Sequence, residues 1–152
     1  MTVRMTPEEA WTVIEASHTG ILTTLRRDGW PVSLPVWFVA FDGCVFVRAH
    51  ERSKKVARLR RDNRASFLVE SGLRWSELEA VHLTGMAEAL PDDGELAERV
   101  QKEFAAKYDK FRTARAHMAD ATRAHYEVAK VNIRFVPDER IVSWDNRKLG
   151  LT

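Results

Sequence analysis

The chain has 152 residues, 45% hydrophobic and 30% charged, with a formal net charge of +2 and a single cysteine. That is enough chain for one well-buried core, so a single domain over 1–152 is expected. No apolar run is long enough to cross a bilayer, the start MTVRMTPEEAW lacks the apolar centre of a signal peptide, and one cysteine cannot close an internal disulfide; a reducing, cytoplasmic setting is expected, with no membrane partner.

Residues 6–17 read as a helix, with Thr6 as N-cap, Pro7 at the first position, Glu9 closing a capping box, and Trp11 and Ile14 on the inner face. Residues 20–50 then hold three β-rich runs, 20–26, 31–40 and 44–50, punctuated by Asp28-Gly29 and Asp42-Gly43. Asp-Gly between apolar alternating segments is a strong hairpin signal, so an antiparallel meander is predicted. Residues 53–61 fit a short helix with Ser53 as N-cap and Val56 and Leu59 facing inward. Residues 65–70 return to strand, and a weakly alternating β segment covers 76–90 around Val81, Leu83 and Met86. Pro91-Asp92-Asp93-Gly94 is a break. Leu96, Val100 and Phe104 recur every fourth residue and predict a helix over 95–108; a second follows over about 113–127. KVNIRFVP and RIVSWDNRK read as two closing strands joined around Pro137-Asp138. Short antiparallel strands with helices at their edges predict a mainly β, α+β fold of the small-barrel kind.

Gly-rich phosphate loops and spaced Cys/His zinc patterns are absent from the sequence, so no metal site is expected. His117 and His125 lie eight apart on the second helix with Ala121 between them on that face, which suits a structural or solvent-facing role. His18, His50 and His82 stand alone, and Cys44 within a predicted strand suits a buried, inert thiol. Chemistry concentrates instead in 48–64, where eight Lys or Arg residues stand against two acids. At its start, Ser53, Lys54 and Lys55 open a helix, so free backbone N–H groups, the helix dipole and two ammonium groups converge: either an anion seat or a pair of solvated lysines. Arg58, Arg60, Arg61 and Arg64 lie toward or beyond the helix end, where cations suit the dipole; they either face water or receive a second acidic group. Pro35 interrupts a strand just before Trp37 and Phe38, marking an edge, a bulge or a backbone that faces a ligand. Trp75 and Trp144 fall in β or loop context.

The ordered set RRDGWP, PVWF, then S-K-K followed by RLRRDNRA, running on to WSELEAVHLTGMAEAL, resembles the pyridoxamine 5′-phosphate oxidase-like superfamily of FMN-binding proteins over about 18–90, and SWDNRKL (143–149) is similar to the ending of several short members. The resemblance implies a six-stranded antiparallel split β-barrel that forms a homodimer with cofactor sites at the interface. It implies that Pro35, Val36, Trp37 and Phe38 lie along the isoalloxazine edge. It implies that Val47, Arg48 and Ala49, with Ser53, Lys54 and Lys55, take the ribityl phosphate, and that Trp75 and Trp144 sit near the ring or the partner subunit. This chain has no counterpart of the longer C-terminal part carrying substrate-phosphate ligands in true pyridoxamine phosphate oxidases. It looks more like the flavin/deazaflavin oxidoreductase branch, some of whose members bind FMN and others the deazaflavin F420. The acidic tail of F420 suits a basic channel, such as Arg58, Arg60 and Arg61 would line.

Three functions are compatible with the sequence. The first is an oxidoreductase passing a hydride between bound FMN, or F420, and a small organic substrate. The second is a binding protein for a flavin or another planar ligand without turnover. The third is a nucleic-acid binder, which the small net charge and the inward-facing Val56 and Leu59 disfavour.

Overall fold

The computed structural model describes residues 2–126 and 128–150. Thr6 caps α1 (Pro7–Ala16) by accepting a hydrogen bond from the Glu9 amide (3.2 Å), while the Glu9 carboxylate meets Lys148 Nζ at 2.7 Å instead of closing a capping box. Ten further elements follow in chain order: β1 (Gly20–Leu25), β2 (Pro31–Val36), β3 (Val39–Phe41), β4 (Cys44–His50), α2 (Lys54–Arg61), β5 (Arg64–Ser71), β6 (Glu79–Pro91), α3 (Gly94–Tyr108), α4 (Asp120–Tyr126) and β7 (Lys130–Asp145). Asp42 (φ 53°) and Gly43 (φ 69°) both take the left-handed conformation that a two-residue hairpin needs, and turn β3 into β4.

All seven strands form one antiparallel sheet in the order β2-β1-β5-β6-β7-β4-β3, so the expected count of six is corrected to seven. The extra strand arises where the predicted run 31–40 divides. β2 pairs with β1 at one edge of the sheet, and β3 pairs with β4 at the other. Only Trp37 and Phe38 separate these two edge strands, and three residue steps reach at most about 11 Å. The sheet must therefore curl until its edges meet, giving a half-barrel with helices around it. Three other boundaries move. The two predicted closing strands are one strand, because β7 bends at Pro137 rather than turning back, and a register shift between Leu83 and Gly85 absorbs the bend. Gly85 is required there: a Cβ would stand 2.2 Å from the Val136 carbonyl oxygen. The predicted helix over 113–127 is α4 alone, preceded by 3-10 turns at Asp109–Phe111 and Arg115–His117; Glu127 lies outside the described residues. Residues 75–77 are likewise a 3-10 turn ahead of β6.

The barrel interior is a continuous cluster including Leu22, Phe38, Val47, Phe67, Val81, Leu83, Ile133 and Phe135, to which α1 adds Ala10 and Ile14 and α2 adds Val56 and Leu59. A second cluster lies beneath α3, where Val100, Phe104 and Tyr108 pack on Val39 and Phe46. The four-residue spacing that predicts α3 therefore extends to Tyr108, which is fully buried. Among the described residues no helix is long and apolar enough to cross a membrane.

Candidate functional site

A pocket of about 1010 Å³ opens where the sheet edges meet. One wall is made by Pro35, Val36 and Trp37 at the end of β2, Val47 and Arg48 on β4, and Lys55 on α2; the opposite wall comes from α3 and the turns after it, with Phe104, Asp109, Phe111, Arg112 and Met118. The register accounts for the first wall. β2 ends beside the link at Trp37-Phe38, and β4 runs from the other sheet edge toward the same gap before the chain turns at His50 into α2.

Six of the twelve residues expected at a cofactor thus share one pocket: Pro35, Val36, Trp37, Val47, Arg48 and Lys55. Phe38 and Ala49 point into the core at 0% and 7% exposure. The Ser53 hydroxyl caps α2 by accepting from the Val56 amide (3.5 Å), and Lys54 is exposed outside the pocket wall. Trp75 and Trp144 are not part of the pocket lining and are joined through Asn146: Trp144 Nε1 donates to Asn146 Oδ1 (2.6 Å), and Asn146 Nδ2 donates to the Trp75 carbonyl (2.6 Å).

The charges in the pocket are arranged unevenly. Arg48 donates to Asp92 Oδ2 (2.7 Å), and Asp92 Oδ1 is held in turn by Gln101 Nε2 and Asn132 Nδ2, each at 3.0 Å. Arg112 pairs with Asp109 at 3.0 Å. Both carboxylates on the pocket wall are thus engaged by arginines. Lys55 has no acid partner among the described ion pairs, and burial first and the Arg58 charge second lower its pKa. Arg58 is lowered by burial and by Arg26 and Arg61, and its Nε donates to Thr24 Oγ1 (2.7 Å), while Arg61 donates to the Leu25 carbonyl (2.6 Å). Lys55, Arg26 and Arg58 therefore stand together with no carboxylate among the described ion pairs, Lys55 alone of them lining the pocket, while Arg61 also acts on the Asp62 carboxylate; an anionic ligand would stabilise the first three. Arg64 is excluded from that cluster: it grips Asp62 through two nitrogens (3.0 and 2.8 Å) and holds that carboxyl down to about 2. Arg60 and Arg61 both line another groove, with Asp62, Asn63 and Glu88.

Sequence reasoning missed Asp92, which it read only as part of a turn, and the whole far wall from α3 onward. Tyr108 carried a usable signal, since it continues the Leu96–Val100–Phe104 spacing. Cys44 lies in β4 as expected but is half-buried rather than buried; burial raises its pKa against the lowering effect of Arg134. Among the described residues no three His, Cys, Asp or Glu side chains converge as a metal cage requires, and the His125 side chain lies outside the description.

A mainly β, antiparallel curled sheet with helices around it and a pocket at its meeting edges defines a half-barrel. The family profile of pyridoxamine 5′-phosphate oxidase matches residues 6–136, and the chain belongs to that family. No curated protein matches the chain. Among solved structures, a conserved hypothetical protein from Mycobacterium tuberculosis is 31% identical, with a TM-score of 0.82 over 99% of this chain and 91% of that one. A heme storage protein from Vibrio cholerae shares the fold at 14% identity and a TM-score of 0.70, covering 95% of this chain and 96% of its own. An F420 reductase does so at 19% identity and 0.66, covering 90% and 98%.

Proposed function

We propose that the protein is a flavin- or deazaflavin-dependent oxidoreductase that passes a hydride between FMN, or F420, and a small organic substrate. The observation that carries this is the single pocket joining a flat aromatic wall at Trp37 to the unpaired cation Lys55. The residues fit such a group: Pro35–Trp37 would lie along the ring, Val47 and Arg48 along the chain that follows it, and Lys55 with the first turn of α2 at the phosphate. When bound, the cofactor supplies the hydride chemistry. The protein binds and orients it and excludes water, and among the described residues no pocket carboxylate is left free to act as a general acid, so protons come from solvent or cofactor. Visible absorption of the purified protein, followed by titration with FMN and F420, tests the reading. A saturable spectral change with one of them is expected; a colourless protein indifferent to both ends it.

The two cofactors divide on the cations beside Lys55. Lys55 and Arg58, with Arg26 near them, exceed what one phosphate needs and favour the acidic tail of F420. Arg58→Ala should then weaken F420 binding and leave FMN binding nearly unchanged. The engaged pocket carboxylates also favour a second reading, a binding protein without turnover. A stable flavin complex that no donor reduces and no acceptor reoxidises would select it.

The reading includes a homodimer. Directly paired residues on the outer face of the sheet form a row, Pro35–Ile21–Leu68–His82–Val142, beside a second row, Ser33–Thr23–Ser66–Thr84, and neither row contains a carboxylate, a Lys or an Arg. Val142 is 64% exposed in the single chain. Pro35 belongs both to this row and to the pocket wall, so a second copy covering the face would close the side of the pocket. It would also take in Trp144, two residues beyond Val142, which gives Trp75 and Trp144 a route to the partner's pocket. Sedimentation should show a dimer that Val142→Asp converts to a folded monomer; a wild-type monomer at micromolar concentration would remove this part of the proposal.

A further inference from the structure

The two-residue link between the sheet edges poses a hydrogen-bonding problem. Neither edge pairs the backbone of Trp37 and Phe38, yet Phe38 is fully buried. The solution comes from α3, some seventy residues later. Tyr108 Oη accepts from the Phe38 amide (2.8 Å) and has its single proton to give to the Phe38 carbonyl (2.7 Å) or the His18 carbonyl (2.8 Å). Lys107 Nζ donates to that same Phe38 carbonyl (2.9 Å) and lies 3.8 Å from the centre of the Phe38 ring. The Trp37 indole, itself on the pocket wall, stacks on the Tyr108 ring behind it, with centroids 4.4 Å apart and planes 5° apart, and Arg112 approaches it at 5.6 Å. The edge of His18 meets Trp37, Tyr108 and Phe111.

We infer that Lys107 and Tyr108 are positioning residues: they hold the Phe38 backbone so that Trp37 presents its indole to the pocket at the place where a planar ligand ring would stack. The inference deepens the cofactor reading and rests on it for the identity of the ring. Tyr108 acts through Trp37 and through the backbone, and it is absent from the pocket lining. The arrangement also ties the two pocket walls together, because α3 runs directly into the turn that carries Asp109, Phe111 and Arg112.

A pH dependence separates positioning from simple stability. Burial pulls Lys107 from its ordinary 10.5 to about 8, and no ionic neighbour contributes. The titratable or charged groups around this cluster are His18 after α1, and Asp109, Lys110 and Arg112 after α3; Asp109 is engaged by Arg112. A lysine whose pKa is lowered on folding binds fewer protons folded than unfolded between those two values, so this group makes the fold more stable as pH rises from about 8 toward 10.5. The charged hydrogen bond to the Phe38 carbonyl weakens over the same rise. Ligand affinity should thus fall across about pH 8 while stability does not, opposite directions that a merely structural role would not produce.

The test uses the full-length protein labelled with 5-fluorotryptophan, with the Trp37 ¹⁹F resonance assigned by Trp37→Phe, alongside FMN and F420 titrations from pH 7 to 9.5. Tyr108→Phe should shift the Trp37 resonance, lower stability by stranding the buried Phe38 amide, and, because Trp37 is no longer held, weaken binding by about tenfold. Lys107→Met should do the same at every pH. Lys107→Arg should keep wild-type affinity and abolish the transition near pH 8. Lys55 is unchanged in that variant, so only the part of the transition that Arg removes belongs to Lys107. A Trp37 resonance that moves neither with pH nor in the Tyr108 and Lys107 variants overturns the inference. If the wild type binds neither cofactor, the function reading fails, and the resonance still decides the positioning.

Discussion

Lys55→Ala is expected to weaken FMN or F420 binding by about tenfold or more, with the fold intact. A hydrogen bond from a charged donor to a charged acceptor contributes about 1.5–3 kcal/mol, and each 1.4 kcal/mol is tenfold in affinity. Lys55 is the cation of the Ser53–Lys55 turn that lines the pocket, and it carries an unrelieved burden: burial and Arg58 both act against its charge, and no described acid offsets them. A bound phosphate would relieve both. Alanine is a good helix former, so α2 should survive, with Val56 and Leu59 still in the core. Lys54→Ala should change affinity far less, because Lys54 is exposed and outside the pocket. Fluorescence titration at low and high salt compares them. Wild-type affinity in Lys55→Ala would refute the phosphate assignment, and an equal loss in both variants would point to diffuse charge attraction instead.

Phe67→Ala should be the most damaging single substitution in the barrel, costing about 3–5 kcal/mol, as deletion of a buried aromatic ring usually does. Phe67 is fully buried at the middle of β5, packed edge-to-face on Phe38 (4.8 Å) and near Phe135 (6.3 Å). Its ring also lies over Gly20, where a Cβ would stand 2.2 Å from it, so β1 is shaped around this side chain. Phe38 is one of the two residues joining the sheet edges, and loss of Phe67 would therefore loosen the pocket as well as the core. Thermal unfolding should show a midpoint lower by roughly 10 °C or more. Cofactor at saturating concentration should recover part of that loss, since it binds only the folded state. A midpoint within a degree or two of wild type would mean that the ring does not carry the closure of the barrel.

These two residues differ in how visible they are along the chain. Lys55 is legible because its setting is local: a Ser N-cap followed by two lysines announces a helix start with cations against its dipole. The same locality made α1, the Asp42-Gly43 hairpin and the spacing of α3 readable, since each depends on side chains within a few residues of one another. The partners of Phe67 are not local. Its contacts come from the link between sheet edges and from the last strand, and nothing near position 67 names them.

Local signals thus determined α1, α2 and α3, most strand positions, the hairpin turns, the basic turn at Ser53–Lys55 and, through an ordered set of short motifs, the family. Tertiary structure alone decided that the run 31–40 breaks at Trp37-Phe38, that the closing segment is one bent strand, and that α3 and the turns after it form the far wall of the pocket. It also decided which of the basic residues stand unpaired: Asp62 takes Arg64 and Asp92 takes Arg48, while Lys55 and Arg58 are left together. The reason is physical. Caps, turns and periodicity are set by interactions over three or four residues, whereas a sheet closes on itself, and an ion pair chooses its partner, through contacts between segments far apart in the chain.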